Sequence, residues 1–231
     1  MASAAEQSAS EQHSRQREAM NTIGECAHLN ALLAEAGLDP LDGQTASRFG
    51  DYVSLFLRWN TRLNLSAIRD ESGVISRHII ESIALARALP RGIFTLLDFG
   101  SGAGLPGIPI ALCCPQIAVT LAESQGKKAA FLQEAVRVLG IRATVHAGRA
   151  EALRAVFDCV VLRAVERMPK AVAAAARLVG PEGYLALMTT GDRLDELKQA
   201  AGAEFSWTTH TPLPGATDRI VAFGGRHLAR A

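Results

Sequence analysis

The sequence predicts an α/β protein whose mostly parallel sheet is covered by helices on both faces. Short apolar strand-like runs alternate with helix-like segments through the C-terminal two-thirds of the 231-residue chain. The last two strand-like runs have no helix between them, so they must pair antiparallel. We therefore expect seven strands, with a reversed strand at the C-terminal end, and a group of helices before the first strand.

Three helix-like segments precede the first predicted strand, near 25–36, 44–59 and 71–89. The first of them ends at Gly37 with Pro40 just beyond, which is typical of a helix C-terminus. The second carries an apolar face, formed by Phe49, Val53, Phe56 and Leu57.

Strand and helix patterns then alternate in a regular order. The predicted strands lie near 93–98, 118–123, 142–147, 157–162, 184–189, 204–211 and 219–223. The predicted helices lie near 106–113, 126–139, 167–179 and 191–201. Three units follow from this pattern: a polar tail at 1–22 predicted to be disordered, a helical extension at 23–90, and the main domain at 91–231, packed with the helices as one compact unit.

The turn after the first strand is the strongest functional indication in the chain. Residues 96–107 read LLDFGSGAGLPG, with Gly100, Gly102 and Gly104 at alternate positions. A strand, a glycine turn and a helix N-terminus bring backbone N–H groups close to a ligand. Glu123 ends the next strand, where a carboxylate can bind the two hydroxyls of a ribose. The sequence therefore predicts a site for a nucleoside cofactor.

Two classes of cofactor use this layout. The spacing Gly102-x-Gly104-x-x-Gly107 matches the dinucleotide fingerprint and leaves an NAD-type oxidoreductase as an alternative. The spacing Gly100-x-Gly102-x-Gly104, preceded by Asp98, matches the loop that binds S-adenosylmethionine (SAM) in methyltransferases. An acid suits the amino and sulfonium groups of SAM better than a pyrophosphate, although Asp98 could instead cap the following turn. The reversed C-terminal strand also favours SAM.

Composition sets further limits. The formal net charge of +1 does not indicate a nucleic-acid-binding protein, but it permits a local basic patch. No apolar run is long enough to span a bilayer, and the N-terminus lacks the apolar region of a signal peptide, so we expect a cytoplasmic protein away from membranes. No histidine or cysteine spacing predicts a metal site. Cys159 is interpreted as a buried hydrophobic residue, with a catalytic nucleophile as the alternative.

Six blocks of the chain, taken together, resemble one known family. They read WNTRLNLSAIRD (59–70), RHIIESIAL (77–85), LLDFGSGAGLPGIPIAL (96–112), GKKAAFL (126–132), GRAEAL (148–153) and FDCVVLRA (157–164). Between about 55 and about 191 the chain is similar to the bacterial 16S ribosomal RNA methyltransferase G family, also called glucose-inhibited division protein B. The resemblance implies a Rossmann-like class I SAM-dependent methyltransferase that methylates N7 of a guanine in small-subunit ribosomal RNA.

The resemblance also implies roles for individual residues. Gly100 and Leu105 would contact SAM, Glu123 would hold its ribose, and Ala150 and Glu151 would flank its adenine. Arg163, at the end of the fourth strand, would reach the reaction pocket and either meet the guanine O6 or hold the methionine end of SAM. The chain departs from the family at Leu162, where serine is usual, and at 188–190, where Met-Thr-Thr replaces a lysine-containing run. These departures leave a non-catalytic RNA-binding or assembly module as an alternative.

Guanine N7 has an in-plane lone pair and no proton to lose, so the predicted reaction needs alignment and no general base. The RNA partner, either 16S rRNA or the small ribosomal subunit, would need basic groups around the pocket. The predicted RNA contacts are Arg62, Arg69, Arg77, Arg167 and Lys170. We expect the protein to act as a monomer.

Overall fold

A computed structural model of the chain describes residues 27–207 and 210–227. Its strands are β1 (Thr95–Phe99), β2 (Ala118–Glu123), β3 (Ala143–Ala147), β4 (Phe157–Arg163), β5 (Val179–Thr190), β6 (Phe205–Trp207), β7 (Thr211–Pro212) and β8 (Arg219–Arg226). Its helices are α1 (27–35), α2 (Gly43–Leu63), α3 (Glu71–Val74), α4 (Ile80–Ala88), α5 (Gly107–Cys113), α6 (Gly126–Leu139), α7 (Met168–Ala176) and α8 (Leu194–Ala201). The tail predicted to be disordered, 1–22, lies outside the described residues.

The strands form one sheet in the order β3-β2-β1-β4-β5-β8-β6. The first five of these are parallel, and β8 runs antiparallel to both β5 and β6. This confirms the predicted α/β class with seven strands along the sheet and a reversed strand near its C-terminal edge. The predicted strand at 204–211 is divided into β6 and β7, which both pair with β8 but are one residue out of register with each other.

The N-terminal helices agree with the prediction in position but differ in detail. Helix α2 begins one residue before the predicted start, because the Asp42 carboxylate accepts hydrogen bonds from the N–H groups of Gln44 and Thr45. The predicted helix at 71–89 consists of α3, one π-helical turn (Ile75–Ile79) and α4. A hydrophobic period of 3.6 residues does not reveal one inserted residue, so the π turn could not be predicted from the sequence.

Two hydrophobic layers cover the sheet. One face packs against α1, α2, α4, α5 and α6, and the other against α7 and α8. Phe49, Val53 and Phe56 are buried as predicted, while Leu57 is half-buried. No helix of the described residues is both long and apolar enough to cross a membrane.

Helix α2 also contacts the glycine turn directly. The side chain of Tyr52 is fully buried, and its hydroxyl donates a hydrogen bond of 2.6 Å to the carbonyl of Ala103. Burial raises the pKa of Tyr52 well above its usual value, so the hydroxyl keeps the proton that it donates. The N-terminal helices therefore help to fix the turn between β1 and α5.

We expect Tyr52→Phe to lower the free energy of unfolding by about 1–3 kcal/mol, because the buried Ala103 carbonyl loses its donor. Urea unfolding of the whole chain measures this change. The chain's other tyrosine, Tyr184, is the matched control, since its hydroxyl has no hydrogen-bond partner among the described residues. Equal losses for Tyr52→Phe and Tyr184→Phe would contradict the assigned role of the hydroxyl.

Candidate cofactor and substrate site

The candidate site lies at the carboxyl ends of the parallel strands, where α/β sheets bind ligands. One cavity there, cavity A, has a volume of about 430 Å³. The predicted cofactor residues Gly100, Ala150 and Glu151 line cavity A. The other predicted cofactor residues lie in the adjoining turn and strand ends without lining it: Asp98, Gly102, Gly104, Leu105 and Glu123.

The turn between β1 and α5 keeps its backbone accessible. Gly102 has a φ of +56°, and a Cβ built there would meet nothing closer than 3.9 Å, so the space above it is open. Its N–H group donates to Glu123 Oε2 at 2.9 Å, while Glu123 Oε1 accepts from the N–H of Gln125 at 2.7 Å. Each carboxylate oxygen has a second lone pair, so Glu123 can hold the turn and still accept from a hydroxyl.

Asp98 lies beneath the turn, with only 1% of its surface exposed. Its Oδ2 accepts a hydrogen bond of 3.0 Å from the N–H of Gly107, at the start of α5. Burial raises the pKa of Asp98 to about 7, against the opposing effect of this hydrogen bond. The contact favours the capping interpretation of Asp98, and a direct contact between Asp98 and SAM stays a prediction.

Arg163 ends β4 and points toward the N-terminal helices. Its Nη2 lies 2.8 Å from Glu81 Oε2 and donates to the carbonyl of Arg77 and to His78 Nδ1, each at 3.0 Å. The other carboxylate oxygen of Glu81 lies 2.6 Å from Nη2 of Arg219, at the start of β8. One buried carboxylate therefore lies between two guanidinium groups.

A chain of hydrogen bonds supports Arg163 from behind. His78 Nε2 lies 2.9 Å from the hydroxyl of Ser66, and the side-chain oxygen of Asn60 accepts from the N–H of Ser66. Burial, together with the charge of Arg163, lowers the pKa of His78 to about 4, so the ring is neutral at physiological pH. These contacts give the block NLSAI at 64–68 a structural role: it holds His78, which accepts from Arg163.

A second cavity, cavity B, has a volume of about 250 Å³ and opens beside β5. Its lining includes Glu81, Arg163, Val165, Met188, Thr189, Thr190, Arg193 and Arg219. Val165 lines both cavities, so one side chain of the β4–α7 loop lies between them. The three positions at 188–190, where the chain departs from the family, are part of the cavity B wall.

Sequence reasoning missed Arg193 and Arg219. Arg219 lies opposite Thr190 in the antiparallel pairing of β5 with β8, so the predicted reversed strand would have placed it at the carboxyl end of β5. Arg193 follows β5 by three residues. Neither residue belongs to a recognisable motif, and their common position became visible only in the fold.

The predicted RNA contacts are all exposed but divide into two groups. Arg167 and Lys170 line cavity A, at the start of α7. Arg62, Arg69 and Arg77 lie on the N-terminal helices and their connecting loop, and only the backbone carbonyl of Arg77 reaches Arg163. Trp59 is half-buried against Phe131 and donates from Nε1 to Glu134, so it packs within the protein.

Burial and geometry also bear on two other chemistries, a cysteine nucleophile and a metal site. Cys159 is fully buried in β4, and burial raises the pKa of its thiol to about 12, which does not favour the nucleophile interpretation. Within 27–207 and 210–227, no three His, Cys, Asp or Glu side chains are grouped so as to hold a metal ion.

We expect Gly102→Ala to weaken SAM binding by about tenfold or more, because a methyl group would occupy the open space above the turn. Calorimetric titration with SAM measures the affinity. The control is Gly140→Ala at the C-terminus of α6, where φ is +57° and a Cβ would meet no neighbour within 4 Å. Both changes strain the backbone alike, so an equal effect on SAM affinity would contradict the assigned role of Gly102.

Solved structures show the same fold. The magnesium protoporphyrin IX methyltransferase of Synechocystis PCC 6803, solved with bound SAM, has a TM-score of 0.56 at 19% identity and matches 80% of this chain and 98% of its own. An O-methyltransferase from Bacillus cereus, in complex with SAH, has a TM-score of 0.53 at 16% identity over 76% and 91% of the two chains. These similarities confirm the class I SAM-dependent methyltransferase fold.

Similarity in sequence is closer and more specific. A protein of Stenotrophomonas maltophilia (strain K279a), named ribosomal RNA small subunit methyltransferase G, is 38% identical over 206 residues, which are 87% of this chain and 92% of that protein. The protein of the same name from Xanthomonas euvesicatoria pv. vesicatoria (strain 85-10) is 40% identical over 73% of this chain and 81% of its own. The profile of the GidB family, described as rRNA small subunit methyltransferase G, matches residues 45–215. The chain therefore belongs to the GidB family of SAM-dependent rRNA methyltransferases.

Proposed function

We propose that this protein transfers a methyl group from SAM to N7 of a guanine in 16S rRNA. The observation that supports this most directly is the pair of adjoining cavities at the carboxyl ends of β1, β4 and β5. Cavity A is next to the glycine turn, and cavity B holds an excess of guanidinium groups. Because Val165 lines both, a donor in cavity A and an acceptor in cavity B would meet at one boundary.

The residues around cavity A suit SAM. The open space above Gly102 admits a ligand close to the backbone, and Glu123 keeps a lone pair on each oxygen for ribose hydroxyls. Ala150 and Glu151 line the far wall, where the adenine would lie. When bound, SAM supplies an electrophilic methyl group on a sulfonium.

Cavity B orients the acceptor and offers no free base. Among its described lining residues Glu81 is the only carboxylate, and both of its oxygens face guanidinium groups. His78, directly behind Arg163, is neutral, but its Nδ1 already accepts from that arginine. An acceptor that needs no deprotonation fits these surroundings, and guanine N7 is such an acceptor. To enter the cavity the guanine must leave its stack, which RNA loops permit.

The basic residues would hold the RNA on both sides of the cavities. We propose that Arg62, Arg69 and Arg77 contact phosphates on the side of the N-terminal helices, and Arg167 and Lys170 on the side of α7. We also propose that 23–90 and 91–231 act as one unit, because both contribute to the same hydrophobic layer. The protein would act as a monomer on the small subunit or its rRNA, in the cytoplasm.

The test is mass mapping of modified guanines in 16S rRNA from cells with and without the gene. We expect one N7-methylguanine to disappear on deletion and to return with the wild-type gene. The Gly102→Val variant should not restore it, while Gly140→Ala should. An unchanged set of modified guanines would reject the proposed function, and tight RNA binding with no methylation would favour the assembly-module alternative.

We expect Val165→Ala to lower the single-turnover rate of methylation by about tenfold or more, because a small displacement at the boundary disturbs the alignment of donor and acceptor. Val165→Thr keeps the shape of the side chain, and its added hydroxyl can reach water because Val165 is only half-buried at the cavity walls, so the rate should stay within about threefold. Val136→Ala, a half-buried valine of α6 away from both cavities, controls for general packing loss. A rate for Val165→Ala equal to that of Val136→Ala would contradict this role.

A further inference from the structure

The side chains that line cavity B carry more positive than negative charge. The ionisable groups of its lining are the guanidinium groups of Arg163, Arg193 and Arg219 and the carboxylate of Glu81. His78 adds no charge, since its ring is neutral at physiological pH. A cavity with this balance attracts an anion.

The three arginines are not equivalent. Arg163 and Arg219 both lie within ion-pair distance of Glu81, at 2.8 Å and 2.6 Å, and their side chains are 15% and 33% exposed. The side chain of Arg193 is exposed and makes neither a hydrogen bond nor an ion pair with any described residue. The guanidinium group of Arg193 is therefore the one in this lining that no described carboxylate pairs with.

The backbone turn that carries Arg193 is anchored to the sheet by a hydrogen bond. Arg193 ends a short 3-10 turn (Gly191–Arg193) that joins β5 to α8. The N–H of Gly191 donates to the carbonyl of Asp218 at 3.1 Å, which ties this turn to the residue before β8. The guanidinium group is thus carried by a fixed turn at the rim of the cavity, on a side chain that can still reorient.

We propose that Arg193 binds a backbone phosphate of the RNA next to the nucleotide whose base enters cavity B. The inference rests on the proposed function for the identity of the polymer. SAM is a poor candidate for this charge, because its ammonium and sulfonium groups outnumber its carboxylate. A phosphodiester has the required negative charge and accepts the paired N–H groups of a guanidinium.

The test compares the salt dependence of binding to a full-length 16S rRNA transcript for four proteins: the wild type, Arg193→Gln, Arg193→Lys and Arg137→Gln. Loss of one phosphate contact should make the slope of log K against log salt less steep by about 0.7, and Arg193→Gln should raise the KM for RNA by about tenfold at physiological salt. The SAM affinity should stay within about threefold of the wild type, since Arg193 does not line cavity A. Arg193→Lys keeps the charge and should keep the slope.

Arg137 is the matched control for a general loss of charge. It is exposed in the last turn of α6. Because α6 leads from the end of β2 to the start of β3, that turn lies at the amino ends of the parallel strands, whereas cavity B lies at their carboxyl ends. An unchanged slope for Arg193→Gln, or an equal change for Arg137→Gln, would overturn the proposal. The proposed function would fail by a different result, namely the absence of methylation by the wild type. The two failures can be distinguished because the salt slopes are measured from RNA binding alone, without methylation.

Discussion

The ion pairs of Glu81 with Arg163 and Arg219 are the interaction on which the site depends most. Glu81 belongs to α4, Arg163 ends β4 and Arg219 begins β8, so one carboxylate joins the helical layer to two strands of the sheet. Burial raises the pKa of Glu81, and the two guanidinium groups counteract this effect. Loss of Glu81 would leave the largely buried guanidinium group of Arg163 without its carboxylate, at a cost of about 3–5 kcal/mol. The helical layer is therefore part of the site.

The same ion pairs limit what Arg163 can do in the reaction pocket. The sequence placed Arg163 at the reaction pocket, and the structure does bring it to the wall of cavity B. Its Nη2 group, however, is engaged by a carboxylate, a carbonyl and an imidazole. Arg163 thus contributes a fixed positive charge and a rigid wall. The π-helical turn at Ile75–Ile79 makes this possible, because it carries both Arg77 and His78, which accept from Arg163.

The cofactor side of the site depends on a second set of buried contacts. Asp98 caps α5 from below the glycine turn, Glu123 holds the N–H of Gly102 from β2, and Tyr52 holds the carbonyl of Ala103 from α2. Three separate elements therefore fix a turn whose outer surface stays open. Such support suits a reaction that depends on the alignment of donor and acceptor, since small errors of position reduce its rate strongly.

The sequence by itself determined the α/β class, the order of strands and helices, the reversed strand β8 and the glycine turn followed by Glu123. These are local patterns, in which hydrophobic period and glycine spacing act within about twenty residues. Only the tertiary structure decided that Glu81 lies between Arg163 and Arg219, that Arg193 and Arg219 line one cavity, and that Val165 separates two cavities. These groups are up to 138 residues apart in sequence, because Glu81 and Arg219 meet only when β8 inserts next to β5. Contacts of that kind depend on how the sheet is ordered and how the helices pack on it, and no local pattern records them.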